Sequence, residues 1–206
     1  MIAIIDYGVG NLFSLASSFS AIGAEAIVTC DPDVIRAADR LILPGVGAFE
    51  DAANKLCESG MADLVKAEAA AGKPIMGICL GMQLLFERSF EYGEHEGLGL
   101  IKGSVRSIAD VIPKGLKIPH IGWNSLHFTH PHPLFKYLKE GDFVYFVHSF
   151  YAADCDGAVI ATSEYGAPLT AAVADGNVMG CQFHPEKSGE VGLSILRAFC
   201  EWEVQK

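Results

Sequence analysis

The sequence is poor in basic residues and has no long apolar run. Its 206 residues include 15 Lys and Arg against 25 Asp and Glu, which gives a net charge of −10. This balance argues against a nucleic-acid backbone as the main partner. No segment is long and apolar enough to span a membrane. The N-terminal residues lack a basic leader and a small-residue cleavage site, so we expect no signal peptide.

Cysteine pairs and clustered metal ligands are also lacking. The six cysteines are scattered along the chain, and none forms a C-x-x-C pair. A chain of this length does not need a disulfide framework, so we expect free thiols and a reducing, cytoplasmic environment. The run His130-Pro131-His132 has no acidic or thiol ligand nearby, and we expect a solvated loop there rather than a metal site. No cofactor is predicted.

The composition that remains is typical of a folded domain. Half of the residues are apolar and only 19% are charged, which argues against disorder and suits one domain over residues 1–206. In the first half, short apolar runs alternate with helical runs, which indicates a parallel sheet in an α/β fold. The predicted strands are residues 2–5, 26–28, 41–43 and 74–78, and the predicted helices are residues 12–22, 49–59, 61–71 and 82–87.

The second half of the chain has a different pattern. Short strand-like runs follow one another, joined by turns such as the hairpin signal Asp175-Gly176-Asn177. The predicted strands here are residues 100–107, 122–129, 143–148, 158–163, 170–174 and 178–183, followed by a helix over residues 189–203. The sequence therefore predicts a mostly parallel central sheet flanked by helices, with an antiparallel β extension. Ligands of such sheets bind at the carboxyl ends of the parallel strands.

One turn at that edge carries a cysteine between two glycines. Cys79 lies between Gly77 and Gly81, and this G-x-C-x-G pattern has the form of a nucleophile elbow with sulfur in place of the serine oxygen. Such an elbow presents its residue at the end of a strand and at the N-terminus of a helix, whose dipole favours the thiolate. The alternative is a buried cysteine that packs as a small hydrophobe.

The elbow cysteine needs a base and an oxyanion site. His184 and Glu186, in the run Gln182 to Glu186, lie two apart, so on an extended backbone they face the same side and Glu186 orients the imidazole. The backbone amide of Leu80, together with one from the glycine turn 45–47, is suited to an oxyanion. The alternatives are a surface His-Pro-Glu turn and an ordinary tight turn.

These motifs resemble those of the class I glutamine amidotransferases, whose triad is Cys-His-Glu. Within that class, the residues that flank the motifs are most similar to the glutaminase subunits of imidazole glycerol phosphate synthase. The matching stretches are residues 4–12, 43–49, 77–85, 119–124, 145–150 and 182–186. Phe13 stands where this family often carries a basic residue. The resemblance implies a flavodoxin-like fold.

The resemblance also implies roles for individual residues. Cys79 would form a γ-glutamyl thioester with glutamine, and the amides of Val46 and Leu80 would form the oxyanion site. The residues implied to hold glutamine are Gly47, Gln83, Glu91, His148 and Ser149. Those implied to face the synthase partner are Asn11, Trp123, Tyr145 and His148. The family's partner is a (β/α)8 barrel cyclase, which implies a heterodimer that makes imidazole glycerol phosphate and AICAR in histidine biosynthesis.

A chemical argument favours a partner independently of the resemblance. Ammonia released into water becomes ammonium and ceases to be a nucleophile, and we expect no second domain in this chain to consume it. Two alternatives remain open at this point. One is a glutaminase subunit of another pathway, such as pyridoxal phosphate or purine synthesis, and the other is a cysteine hydrolase of similar fold outside the amidotransferases.

Overall fold

The computed structural model describes residues 1–203, and its first half alternates strands and helices. The elements are β1 (Ile2–Ile5), α1 (Leu12–Ala21), β2 (Ala26–Thr29), α2 (Pro32–Ala37), β3 (Arg40–Leu43), α3 (Phe49–Glu58), α4 (Met61–Ala70), β4 (Ile75–Ile78) and α5 (Leu80–Leu84). These bounds agree closely with the predicted strands and with the first three predicted helices.

The second half consists mainly of strands. The elements are β5 (Phe86–Ser89), β6 (His95–Glu96), β7 (Ile101–Ser107), β8 (His120–Ser125), β9 (His127–Phe128), β10 (Phe143–His148), β11 (Phe150–Ala153), β12 (Val159–Glu164), β13 (Pro168–Asp175), β14 (Val178–Cys181) and α6 (Gly189–Cys200). Short 3₁₀ turns lie at Ile108–Asp110, Pro133–Phe135, Asp156–Ala158 and Pro185–Lys187.

The central sheet has eight strands in the order β2-β1-β3-β4-β14-β13-β12-β9. The strands from β2 to β14 are parallel, and those from β14 to β9 are antiparallel. Two smaller sheets, β10-β8 and β11-β7-β5-β6, complete the second half. The predicted α/β class with a mostly parallel sheet and an antiparallel extension is confirmed.

Several predicted elements were wrong in detail. The helix predicted over residues 82–87 ends at Leu84, and β5 begins at Phe86. The strand predicted over residues 122–129 is split at Leu126, whose side chain is buried in the core. The helix α2 was missed, although its sequence carries start signals. Asp31 accepts a hydrogen bond from the backbone N–H of Asp33, and Pro32 occupies the first helical position.

The core forms two layers, one on each face of the central sheet. On β1, Ile2 and Ile4 point into one layer, while Ala3 and Ile5 point into the other. Helices α1 and α6 supply the first layer, with large side chains such as Phe19. Helices α2, α3 and α4 supply the second layer. Both faces of β1, β4 and β14 and nearly all of β3 are buried, which explains why these strands are almost entirely apolar, while the edge strand β2 is only partly buried.

Glycines bring the turn after β3 into direct backbone contact with the turn after β4. A Cβ placed on Gly81 would lie 1.9 Å from the carbonyl oxygen of Leu43, and one placed on Gly45 would lie 2.5 Å from the amide nitrogen of Gly81. Neither neighbour can move away easily, because one is a backbone atom at the end of β3 and the other is a backbone atom in α5. The two turns that carry the predicted nucleophile and oxyanion donors are therefore packed without any side chain between them.

This contact predicts a large effect on stability. Gly81→Ala is expected to lower the free energy of unfolding by at least about 2 kcal/mol, because the added methyl forces the two turns apart. Gly157→Ala is the matched control, since a Cβ there meets no atom within 4 Å. Urea unfolding of both variants checks the expectation. Equal stability of the two variants would contradict the close packing.

Candidate active site

Cys79 follows β4 and adopts an unusual backbone conformation. Its φ is 56° and its ψ is −115°, and a positive φ is rare and strained for a residue other than glycine. Its backbone N–H donates to the carbonyl oxygen of Cys181 on the neighbouring strand β14, at 2.8 Å. The strained turn and the strand pairing together fix the thiol at the carboxyl edge of the sheet, as the elbow pattern predicts. The helix that follows has only five residues, so its dipole is smaller than the prediction assumed.

His184 and Glu186 form a buried pair beside this cysteine. The Nδ1 atom of His184 donates to Oε1 of Glu186 at 2.8 Å, and the two side chains are 3% and 1% exposed. The reason predicted for their proximity was wrong, because Pro185–Lys187 forms a 3₁₀ turn rather than an extended segment. The turn folds the carboxylate back onto the imidazole. Glu186 Oε2 has no hydrogen-bond partner among the described residues.

The backbone of His184 is held from two sides. Its N–H donates to the carbonyl oxygen of Tyr145 at 2.9 Å. The buried Ser188 hydroxyl donates to the His184 carbonyl at 2.6 Å and accepts from the N–H of Tyr145 at 3.0 Å. Sequence reasoning missed Ser188, and no local pattern would have marked it. These bonds tie the position of His184 to strand β10.

The protonation of His184 follows from its neighbours. Burial favours the neutral ring, but hydrogen bonds to Cys79 and Glu186 outweigh it and raise the pKa of His184 to about 9. The ring therefore holds its second proton at neutral pH. Nδ1 faces Glu186, and the ring lines the same cavity as the thiol of Cys79. A protonated imidazole beside a cysteine is the acid that acyl transfer needs for its leaving group.

A cavity of about 280 Å³ opens beside the thiol. It brings together nine of the residues predicted for catalysis, the oxyanion site or glutamine binding, while Glu186 lies behind His184. These nine are Val46, Gly47, Cys79, Leu80, Gln83, Glu91, His148, Ser149 and His184. The remaining lining residues, Pro119, Val147 and Phe150, were not predicted. Their neighbourhood depends on how β8, β10 and β11 pack, which no local motif encodes.

The turn that carries Val46 and Gly47 is anchored at one end. The hydroxyl of Tyr7 donates to the carbonyl oxygen of Pro44 at 2.7 Å. Gly47 has a φ of 94°, and a Cβ there would meet no atom within 4 Å. The side chain of Val46 is 43% exposed. The turn is therefore fixed where it leaves β3 and is free of packing contacts at Gly47.

Gln83 and Glu91 use part of their bonding capacity within the chain. The Nε2 atom of Gln83 donates to the carbonyl oxygen of Phe150 at 3.1 Å and to Oε1 of Gln182 at 2.9 Å. The carboxylate of Glu91 accepts from the N–H of Phe49 at 2.7 Å. Burial raises the pKa of Glu91, although this hydrogen bond opposes the shift. Both side chains keep oxygen atoms that are not committed to these bonds.

His148 is a neutral, buried member of a histidine pair. Its Nδ1 donates to the carbonyl oxygen of Phe150 at 2.8 Å, so its Nε2 accepts from Nδ1 of His120 at 3.0 Å. His120 Nε2 in turn lies 3.0 Å from Oδ1 of Asn124. Burial lowers the pKa of His148 to about 4. This ring therefore gives the cavity shape and polarity but no positive charge, and it is only 6% exposed.

The other three residues predicted to face a partner lie nearer the surface. Trp123 on β8 is 52% exposed and pairs across the strands with Tyr145 on β10, with ring centroids 6.0 Å apart. Asn11 is half-buried at the start of α1. Other large apolar side chains are exposed on β8 and β10, at Ile121 and Phe143. A cluster of exposed apolar side chains of this kind is typical of a protein interaction surface.

Within residues 1–203, no group of three or more His, Cys, Asp or Glu side chains is arranged to hold a metal ion. In the same part of the chain, no helix has the length and apolar character that crossing a membrane requires.

Comparison with known proteins identifies the family. The family model "Glutamine amidotransferase class-I" matches residues 3–201. The chain is 52% identical to imidazole glycerol phosphate synthase subunit HisH of Sulfurimonas denitrificans over 208 residues, covering 100% of both chains. It is 51% identical to the same subunit of Caldanaerobacter subterraneus, covering 98% of each.

A solved glutamine amidotransferase has the same fold. It superposes with a TM-score of 0.76 at 20% identity and covers 98% of each chain. The similarity to HisH subunits argues against both alternatives that the sequence left open, a glutaminase subunit of another pathway and a cysteine hydrolase outside the amidotransferases. The chain belongs to the class I glutamine amidotransferases, among the HisH subunits of imidazole glycerol phosphate synthase, which hydrolyse glutamine for histidine biosynthesis.

Proposed function

We propose that Cys79, His184 and Glu186 form the triad that hydrolyses glutamine to glutamate and ammonia. One observation carries this proposal: Cys79 and His184 line the same cavity, and Glu186 holds the imidazole from behind at 2.8 Å. Nucleophile, base and orienting group are the three roles that acyl transfer needs. We also propose that residues 1–206 form a single glutamine amidotransferase domain, which the family match over residues 3–201 supports.

The reaction then proceeds in two acyl-transfer steps. The thiolate of Cys79 attacks the side-chain carbonyl carbon of glutamine and forms a tetrahedral oxyanion. His184 gives its proton to the leaving nitrogen, the C–N bond breaks, and ammonia departs from a γ-glutamyl thioester. His184, now neutral, takes a proton from water, which attacks the thioester. The C–S bond breaks, and glutamate leaves with the thiolate and the imidazolium restored.

The cavity offers groups for the rest of the substrate. The backbone amides of Val46 and Leu80 are the proposed oxyanion donors, since both residues line the cavity beside the thiol. The α-amino group of glutamine is a cation, and the oxygen atoms of Gln83 and Glu91 suit it. Gly47, Ser149 and the neutral ring of His148 complete the proposed pocket.

The ammonia needs a protected route to its acceptor. We assign the acceptor site to a (β/α)8 barrel cyclase that docks over the carboxyl edge of the sheet and forms a heterodimer with this chain. The exposed Trp123, with the neighbouring Tyr145 and Asn11, provides the proposed contact surface. Phe13, which is 84% exposed at the start of α1, extends an apolar contact where the family often has a charge.

We expect the partner to control the rate of glutamine hydrolysis through the turn at residues 45–47. The isolated chain is expected to be a poor glutaminase, because a misdirected Val46 amide would remove one oxyanion donor and cost about 10²–10³ in rate. Docking of the cyclase with its ligand then reorients the peptide, which glycine at position 47 makes possible. Glutamate production by the lone chain, the complex and the liganded complex tests this. Equal kcat/KM in all three would rule it out.

Gly47→Ala sharpens the test. Alanine resists a φ of 94°, so the variant is expected to lose more of the ligand-stimulated rate than of the basal rate. Gly176→Ala is the matched control, because Gly176 also has a positive φ and open space but lies in the hairpin between β13 and β14. Gly45 is unsuitable for this purpose, since any side chain there strikes the backbone of Gly81. Equal losses in the two variants would count against the turn as the control point.

A further inference from the structure

We infer that Gln182 is a further catalytic residue, whose side-chain N–H donates to the sulfur of Cys79 and stabilises its thiolate. The inference rests on the proposed role of Cys79 as the nucleophile. Gln182 follows β14 directly and is fully buried. Its Nε2 lies 3.8 Å from Sγ of Cys79, which is within range of a hydrogen bond to sulfur.

The position of Gln182 is fixed by its backbone and by its partner. Its N–H donates to the carbonyl oxygen of Ala171 on β13 at 2.8 Å. Its Oε1 accepts from Nε2 of Gln83 at 2.9 Å. Because this buried amide is hydrogen-bonded at both its oxygen and its nitrogen, it cannot rotate toward other partners. Its nitrogen therefore stays directed at the sulfur.

A chain of hydrogen bonds sets which end of Gln182 faces the thiol. The chain starts at the carbonyl oxygen of Phe150, which can only accept. The Gln83 nitrogen must therefore face Phe150, and its second hydrogen must go to the oxygen of Gln182. The nitrogen of Gln182 is then left to face Cys79. Reversing both amides would set the Gln83 oxygen against the Phe150 oxygen, with no proton between them.

This polarity distinguishes the thiolate from the thiol. The nitrogen of Gln182 donates to the sulfur of Cys79, and the protonated ring of His184 lines the same cavity, so both favour an anionic sulfur. Because the amide of Gln182 is neutral and does not titrate, it does not compete with the imidazolium of His184 as a proton donor. Gln182 therefore stabilises the thiolate without adding a second charged group beside it. The thiolate remains a nucleophile that can attack the carbonyl carbon of glutamine.

Six titratable groups surround the sulfur among the described residues. They are His184, Glu186 behind it, Tyr7 on the turn after β1, Cys181 on β14, and Glu91 and His148 on the wall of the cavity. Burial raises the pKa of Tyr7 and of Cys181, so both stay neutral where the thiolate forms. Burial lowers the pKa of His148 to about 4, so this ring is neutral as well, and His184 is the group that exchanges a proton in the proposed mechanism.

The test measures the rate at which iodoacetamide alkylates Cys79 across a pH series, resolved by peptide mass spectrometry. Gln182→Leu removes the donor at similar size, and Gln182→Glu keeps the shape but places an oxygen at the sulfur. In both variants the onset of alkylation is expected to move up by about one pH unit, a rate loss of about 10-fold near neutral pH. Cys57, exposed on α3, is the reference within each molecule and should not change.

Gln83→Leu probes the orientation argument separately. Without the donor from Gln83, the amide of Gln182 is free to turn, and a smaller shift in the same direction is expected. Circular dichroism and thermal melts check the fold of each variant. If Gln182→Leu does not fold, Gln182→Glu tests the role of the Gln182 side chain. An unchanged onset of Cys79 alkylation in folded Gln182→Glu would overturn the inference.

The same experiment separates this inference from the proposed triad. If alkylation of wild-type Cys79 begins at no lower pH than alkylation of the exposed Cys57, the activated nucleophile itself is refuted. If the onset for wild-type Cys79 is lower, and it moves up in His184→Ala measured in the same series but not in the Gln182 variants, only the role of Gln182 is refuted. A shift in the Gln182 variants with an intact His184 supports both.

Discussion

Cys79→Ala is expected to abolish glutamine-dependent synthesis by the complex while ammonia-dependent synthesis survives. Without the thiolate no thioester forms, and loss of a nucleophile that acts as part of a triad costs about 10⁵–10⁶ in kcat. The cyclase keeps its own site, so ammonia supplied in solution replaces the missing product. The measurements are glutamate release and imidazole glycerol phosphate formation, each with glutamine and then with an ammonium salt.

Cys57→Ala is the matched control, because Cys57 is exposed on α3 and lies outside the cavity. It is expected to behave as the wild type in both assays. Cys79→Ser tests whether shape alone suffices, since a hydroxyl in this setting stays protonated and is expected to be inactive with glutamine. Loss of ammonia-dependent turnover in a folded Cys79→Ala complex would contradict the proposed division of labour.

His184→Ala is expected to be nearly as damaging, with a loss of about 10⁴ in kcat/KM for glutamine. In the proposed mechanism this single residue both holds the proton for the leaving nitrogen and activates the water that hydrolyses the thioester. Its replacement also leaves Glu186 buried without its donor. Steady-state glutamate production in the liganded complex measures the loss. Turnover close to that of the wild type would refute the assignment of the base.

Glu186→Gln is expected to cost less, about 10²–10³, because the ring remains and only its orientation and proton affinity suffer. The hydrogen bond from His184 to Glu186 helps to raise the pKa of His184 to about 9. Removing the charge lowers that pKa, so the imidazolium loses its proton at a lower pH. The basic limb of the pH profile of kcat/KM should therefore move toward neutral pH. A profile that does not move would mean that Glu186 does not influence His184.

The parts of the site that the sequence predicts are those carried by short local motifs. Two such motifs are the glycines around Cys79 and the run that contains His184 and Glu186. In each of them a few neighbouring residues determine the local geometry. Even there the physical reason was partly wrong, because a 3₁₀ turn and not an extended strand joins the base to its carboxylate. Residues whose role depends on distant neighbours were missed. Ser188 meets Tyr145, and Gln182 meets Gln83, only after β10 and β14 have packed.

The fold likewise divides into parts that local sequence patterns predict and parts that depend on distant residues. The parallel half is predictable because strands that are buried on both faces are apolar runs that stand out from the helices between them. The boundary at Leu84 was missed because the apolar run continues unbroken from the helix into β5, and periodicity cannot place the change. The pairing of strands in the second half was out of reach, since β8 joins β10 and β7 joins β11 across long connections.

Strand β14 joins the sheet beside β4, although the two are far apart in sequence, and this pairing sets Cys181 opposite Ile78. Closing so long a loop costs chain entropy, so we expect the local elements around Cys79 to form ahead of this pairing during folding. A chain that emerges from the ribosome N-terminus first thus carries its thiol before its imidazole has arrived. Because the proposed triad is assembled only by this long-range pairing, we expect hydrolysis of glutamine to require the complete sheet.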